Sequence, residues 1–300
     1  MNRKEFVQKS ILSGIALGVA PSIFSHNFQK KNFHLTILHT NDTHSNIDPF
    51  PPNHAKYPNQ GGVVKRYDMI QKIRSEEKNV LLLDAGDIFQ GTPYFNRYKG
   101  ELEMKVMTKM GYDASTMGNH DFDIGMDGFS KAKKYAKFPF LCANYDFKNT
   151  ILDGQTEKYK IFEKGGLKIG VFGLGVELKG LVPDKLYGET QYLDPLEISQ
   201  EIISKLKGEN CDLIICLSHL GYEYSNDKIS DTVLATKLAG IDLIIGGHTH
   251  TFLEKPAQIL NSDGKITLIN QVGWAGLNLG KIDFDVEKKY FTKKEVIEIK

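Results

Sequence analysis

An α/β fold is predicted by three features of this 300-residue chain. Strand-like and helix-like runs alternate along most of its length. Five of the strand-like runs are followed at once by short blocks of Asp, Asn and His. The composition, 41% hydrophobic and 25% charged, is that of an ordinary globular protein long enough for one large α/β domain or two small ones. A net charge of +1 gives no basic surface to hold a nucleic-acid duplex. No apolar run reaches the length of a membrane-spanning helix.

The N-terminus reads as a leader. Arg3, Lys4 and Lys9 precede an apolar stretch from Ile11 to Phe24, interrupted by Gly14, Gly18 and Pro21. A basic segment before a short apolar one is the pattern of a secretory signal. Arg3-Lys4-Glu5-Phe6 resembles a twin-arginine signal with Lys in place of the second Arg. The expected division is a leader over residues 1–26 and one folded domain over 27–300, with an exported, periplasmic destination. The leader has no Cys, which argues against a lipid anchor.

The elements follow in order. His34–Thr40 reads as a strand. Gly61–Glu76 carries Val64, Tyr67 and Ile70–Ile73 at helical spacing. Asn79–Asp84 is a short buried strand, Glu101–Met110 a helix, Asp113–Met117 a strand, Asp127–Ala136 a helix and Pro139–Ala143 a strand. Lys158–Glu163 and Leu167–Leu174 form a hairpin around Lys164-Gly165-Gly166. Helix Leu196–Leu206, strand Leu213–Leu217, helix Thr232–Leu238 and strand Leu243–Ile245 come next. Three strands close the chain: Lys265–Asn270, Leu277–Asp285 and Lys294–Ile299. Ser45–Gln60 breaks the rhythm; its four prolines exclude helix and central strand, and a loop of this length in a compact domain is usually functional or disordered. The three cysteines, Cys142, Cys211 and Cys216, lie in apolar runs. Cys211 and Cys216 are expected on opposite faces of one strand and unable to pair.

The blocks past the strand ends are Asp42-Thr43-His44, Gly86-Asp87, Gly118-Asn119-His120-Asp121, Ser218-His219 and Gly246-Gly247-His248-Thr249-His250. Open α/β sheets bind ligands outside the carboxyl ends of their strands. Imidazole and carboxylate donors suit zinc, manganese or iron. In extended chain Asp42 and His44 would point the same way, as would His248 and His250. Gly86, Gly118, Gly246 and Gly247 would let the backbone turn sharply. So many donors suit two ions sharing a carboxylate.

In order and spacing these blocks resemble the calcineurin-like metallophosphoesterase superfamily. LHTNDTH (38–44), LLDAGDIFQGTPYFN (82–96), TMGNHDFDIG (116–125), LSHLGYE (217–223) and IIGGHTH (244–250) narrow the resemblance to its 5'-nucleotidase branch, over about residues 34–286. The resemblance implies a four-layer α/β/β/α sandwich of two mixed sheets. It implies two divalent ions (Mn, Zn or Fe), one held by Asp42, His44, Asp87 and His250, the other by Asp87, Asn119, His219 and His248. It gives His120 and Asp123 as the catalytic pair, with Asp123 orienting the His120 ring. The implied reaction is hydrolysis of phosphate monoesters, nucleotides above all, by in-line attack on phosphorus of a metal-activated hydroxide.

Other residues are assigned plainer parts. His26, His34 and His54 read as surface or core residues, His39 as packing behind the first block, Asp84 as a loop hydrogen-bonder and Asp121 as structural. The aromatics of the 45–60 loop, with Tyr222 and Tyr224, serve equally as substrate contacts or as surface. The nucleotidase branch usually carries a C-terminal domain that stacks the base, and Lys300 falls where it would begin, so phosphate chemistry carries over and nucleotide specificity does not. Alternatives stay open: a cyclic-nucleotide or other phosphodiesterase, a thiosulfohydrolase, a catalytic subunit needing a separate base-binding domain or chain, and a metal-binding protein without turnover.

Overall fold

The computed structural model describes residues 34–285 and 290–299; the expected leader lies outside them. Among the described residues no helix is long and apolar enough to cross a membrane.

Two mixed sheets stand face to face. The first is built from β1 (His34–Thr40), β2 (Val80–Asp84), β3 (Ala114–Ser115), β12 (Asn278–Asp285) and β13 (Tyr290–Glu298), in the order β13-β12-β1-β2-β3. β1 runs parallel to β2 and antiparallel to β12. The second holds β5 (Tyr159–Lys164), β6 (Leu167–Leu174), β8 (Leu213–Ser218), β9 (Leu243–Gly246), β10 (Ala257–Leu260) and β11 (Ile266–Asn270), in the order β10-β11-β9-β8-β6-β5. Its β6, β8, β9 and β11 are parallel, and antiparallel β5 and β10 form the edges. β4 (Tyr145–Asp146) and β7 (Gln191–Tyr192) pair apart from both.

Period-two alternation sorts the side chains into three apolar layers. Leu35 and Ile37 of β1 and Leu81 and Leu83 of β2 meet Leu213, Ile215 and Leu217 of β8 and Leu243 and Ile245 of β9 between the sheets. The intervening residues face outward. Leu38, Val80 and Leu82 are covered by α1 (Val63–Glu76), α2 (Pro93–Tyr98), α3 (Glu101–Met110) and α4 (Gly125–Lys133), through Ile70, Phe95, Met104 and Phe129. On the other side α6 (Pro195–Gly208) and α7 (Asp231–Lys237) set Ile202, Ile203, Leu206 and Leu234 against Phe172, Ile214, Cys216 and Ile244. α5 (Asp184–Tyr187) is a single turn in a long connection. Helix, sheet, sheet, helix is the expected four-layer sandwich.

The differences from expectation have local causes. α1 begins at Val63 because Gly61 and Gly62 are left-handed, at φ 78° and 91°. Residues 139–143 make no continuous strand. Phe140 bridges to Ser115 of the first sheet, then Leu141 bridges to Glu157 and the Ala143 N–H donates to Gly173 of the second. β3 is cut to two residues as the chain turns into the Gly118 block. α2 and β10 had no signal because each is too short to show a period. Cys211 lies before β8, so strand alternation does not apply; it packs against the same outer layer as Cys216. All three thiols are free.

Candidate metal centre

Every block meets at one end of the sandwich, past the carboxyl ends of strands from both sheets. β1 delivers Asp42 and His44, β2 delivers Asp87, and β3 delivers Asn119 and His120. From the second sheet β8 delivers His219, and β9 delivers His248 and His250. The loops after β1 and β2 run side by side: the N–H groups of Asp42, His44 and Ser45 donate to the carbonyls of Gly86, Asp87 and Ile88.

Two clusters of donor atoms result. Asp42, His44 and His250 form one, and Asp87, His219 and His248 the other. They abut. Asp87 Oδ2 lies 3.0 Å from His219 Nε2 and 3.8 Å from His44 Nε2. Asp42 Oδ1 lies 3.4 Å from His250 Nε2 and 3.9 Å from both His44 and His219 Nε2. His44 Nε2 and His250 Nε2 approach to 3.0 Å. Asn119 is buried in the turn beside them, its Oδ1 without a hydrogen-bond partner. Nitrogen and oxygen donors that converge, with one buried oxygen lone pair unspent, fit divalent zinc, manganese or iron. His34, Glu77 and Asp283 also cluster, but Lys281 Nζ sits 2.7 Å from Asp283 and makes that group an ion-pair network.

The backbone route differs from the extended one expected. Asp42, His44, Asp87, His248 and His250 all have left-handed φ, at 50°, 45°, 54°, 73° and 52°. Such conformations cost about 1–3 kcal/mol each and persist only where surroundings over-determine them. His248 and His250 serve different clusters, whereas Asp42 and His44 serve one. The glycines also act differently from expected. Gly86 is left-handed at φ 86°, but Gly118, Gly246 and Gly247 are not. They are needed for close approach: a Cβ on Gly118 would lie 2.2 Å from Asp87 Oδ1 and 2.6 Å from His219 Nε2.

A second ring of contacts fixes the donors. His219 Nδ1 faces the Ala85 carbonyl at 2.6 Å, and His44 Nδ1 faces that of Phe89 at 3.1 Å, leaving each Nε2 turned inward. The Asp42 carboxylate accepts from Asn41 Nδ2 and the His248 N–H. Asp121 accepts from the N–H groups of Asp87, Ile88, Phe89 and Gly118, which ties the second block to the third. Asp84 accepts from Thr40, Ser115 and the Gly86 N–H. Both fit the structural parts read for them. His39 is buried against Asn270.

Burial opposes charge on His248, His44, Asp87 and His219. It pushes the His248 imidazole down to about 4 and His44 below its ordinary value, so both are neutral at pH 7, as a ligand must be. Burial opposes ionisation of Asp87 too, but the His219, His44 and His120 rings outweigh it and hold that carboxyl below its usual range. Burial likewise disfavours charge on His219, yet the Asp87 carboxylate raises it to about 10. A divalent ion between the two would take that proton's place.

His120 and Asp123 stand beside the clusters. His120 Nδ1 meets Asp123 Oδ2 at 2.9 Å. Its backbone N–H donates to Asp87 Oδ1 at 2.8 Å, and its ring lies edge-on to His44 at 5.2 Å. The Asp123 hydrogen bond raises the imidazole pKa against the effect of burial. The ring is partly exposed, with Nε2 uncommitted.

One neighbour was missed in the sequence. Trp274 stacks on His250, with centroids 5.8 Å apart and planes 9° from parallel. Its only signal was being the sole tryptophan.

Residues 35–252 match the calcineurin-like phosphoesterase family. The chain is 35% identical to rat 5'-nucleotidase over 278 residues, which is 85% of this chain and 47% of that protein. Among solved structures, the 5'-nucleotidase precursor of Thermus thermophilus superposes with a TM-score of 0.79 at 32% identity, over 89% of this chain and 55% of that one. The calcineurin-like phosphoesterase YfkN of Bacillus subtilis gives 0.70 at 28% identity, over 89% and 91%. The chain spans about half the length of the curated relatives it matches.

Proposed function

The chain belongs to the calcineurin-like phosphoesterase family, and on that premise we propose that it hydrolyses phosphate monoesters, nucleotides first among them. The observation that carries this reading is the pair of abutting donor clusters with the His120–Asp123 pair at their edge. Asp42, His44, Asp87 and His250 would hold one divalent ion, and Asp87, Asn119, His219 and His248 the other. Two such ions supply Lewis-acid polarisation of phosphoryl oxygens and a water of lowered pKa. Together with two carboxylates they leave a net positive site for a phosphate dianion. Asp87 lies between the clusters and holds their spacing. His120, kept in one orientation by Asp123, directs Nε2 toward the ester to stabilise developing charge or to protonate the leaving oxygen.

The purified chain should carry two divalent ions and release phosphate from p-nitrophenyl phosphate and AMP. Elemental analysis beside a phosphate assay tests both, and an active preparation holding one ion or none would overturn the two-ion arrangement. A phosphodiesterase is the second reading; faster turnover of bis(p-nitrophenyl) phosphate than of the monoester would favour it. A base-binding domain or separate chain is part of the proposal, supported by the greater length of the relatives. So is export to the periplasm, supported by Arg3, Lys4, Lys9 and the apolar run that follows. Protein recovered from its host should begin near residue 27, and mature cytoplasmic protein with Met1 intact would refute export.

A further inference from the structure

The donor clusters explain how a phosphate would be held, but every phosphate ester shares that part. Beside them lies an aromatic group with a built geometry. Trp274 stacks on His250, and Phe50 meets its indole edge-on at 6.0 Å, 70° between planes. Phe50 lies in turn against His54 at 4.6 Å and Tyr57 at 5.7 Å, and those two rings stack at 11°. All four side chains remain partly accessible, and His250 is 39% exposed, so this edge of the centre is open to a ligand.

The group is rigid on both sides. The backbone around Trp274 is left-handed at Gly273, Ala275 and Gly276. The Ala275 N–H donates to the Asp42 carbonyl at 2.7 Å, the Gly273 N–H donates to the Thr251 carbonyl, and Asn41 Nδ2 donates to the Gly273 carbonyl. The indole is therefore anchored to the backbones of two donor-bearing loops. The proline-rich 45–60 segment closes on itself, with the Phe50 N–H donating to Gln60 and the Phe50 carbonyl accepting from Asn59. His54 Nδ1 accepts the Tyr57 N–H at 2.9 Å. Neither element needs to be ordered by a ligand, which is the condition for stacking to contribute to affinity.

We propose that Trp274 and Phe50 form a stacking subsite for a planar, aromatic leaving group, a nucleobase or an aryl ring, on an ester whose phosphate lies at the donor clusters. The inference rests on the phosphoesterase reading above and deepens it by naming the substrate class. Stacking tolerates any base because each has a π-face. The chain alone should thus prefer aromatic over aliphatic esters while distinguishing AMP from other nucleoside monophosphates by less than about tenfold. Tyr224 is a weaker candidate, since Lys228 Nζ lies over its ring, 4.5 Å from the centroid.

Trp274 is the only tryptophan, so its emission reports the subsite without any reaction. With the metal-loaded chain, adenosine should quench that emission saturably and ribose should not. Phe50→Ala should weaken the adenosine response. In turnover, Trp274→Ala should raise KM for AMP about tenfold, the usual size for loss of one stacked ring, and raise that for glycerol phosphate much less; Trp274→Phe should restore most of the loss. No quenching by adenosine overturns the subsite. An equal loss on both esters with a fall in bound metal also overturns it, and makes the indole a brace for His250. If neither ester is hydrolysed by the parent chain, the phosphoesterase reading fails, and adenosine quenching still decides the subsite.

Discussion

Asp87→Ala should strip metal from both positions and lower kcat/KM by on the order of 10³-fold or more, the size expected when several kcal/mol of Lewis-acid stabilisation is lost. The Asp87 carboxylate reaches donors of both clusters. One carboxylate oxygen lies between His219 and His44, and the other accepts the His120 N–H. Loss of the side chain would also leave His219, wholly buried, without the carboxylate that offsets its charge. Asn119→Ala makes the contrast, since it removes a neutral donor from one position only and should cost a single ion. Elemental analysis of both variants, with thermal melting to confirm folding, separates the two. Two ions retained by folded Asp87→Ala would end the bridging role.

Where local pattern governs, the sequence was enough. β1 and α3 fall on the expected residues, and the hairpin of β5 and β6 forms around Gly165-Gly166 as read. The inner and outer faces of β1, β2 and β8 follow from simple alternation, so three apolar layers were implicit in residues such as Leu81 and Leu82. The donor residues were legible for another reason: in an α/β fold the strand ends converge, and polar blocks there have few other uses. The path of the chain through those blocks was not legible. Left-handed φ at Asp42 and His44 goes with hydrogen bonds between loops far apart in sequence, and no local propensity reports it. The same holds for Gly118, whose missing Cβ matters because Asp87 and His219 crowd it from other strands. Trp274 was hidden most completely. It sits between β11 and β12, distant in sequence from Asp42, and is held at the centre by backbone bonds of its neighbours Gly273 and Ala275 to the loops after β1 and β9.

His120→Asn should lower kcat by about 10²–10⁴-fold, the range for a positioned acid–base group, with metal content unchanged. Its ring touches the clusters only at van der Waals range of His44, and Nδ1 is occupied by Asp123, so the loss should be catalytic and not structural. Comparing esters tells which service Nε2 performs. If it protonates the leaving oxygen, the cost should be large for a nucleoside alkoxide, which is a poor leaving group, and small for p-nitrophenolate, which departs without a proton. If it stabilises charge on the phosphoryl group, both esters should lose alike. Asp123→Asn should follow the same leaving-group pattern with a smaller loss, because it disturbs the orientation of the ring and leaves its nitrogen in place. A variant at His120 that loses an ion instead would make the imidazole a ligand, and the hydrogen bond to Asp123 would then be the second contact that commonly orients a metal-bound histidine.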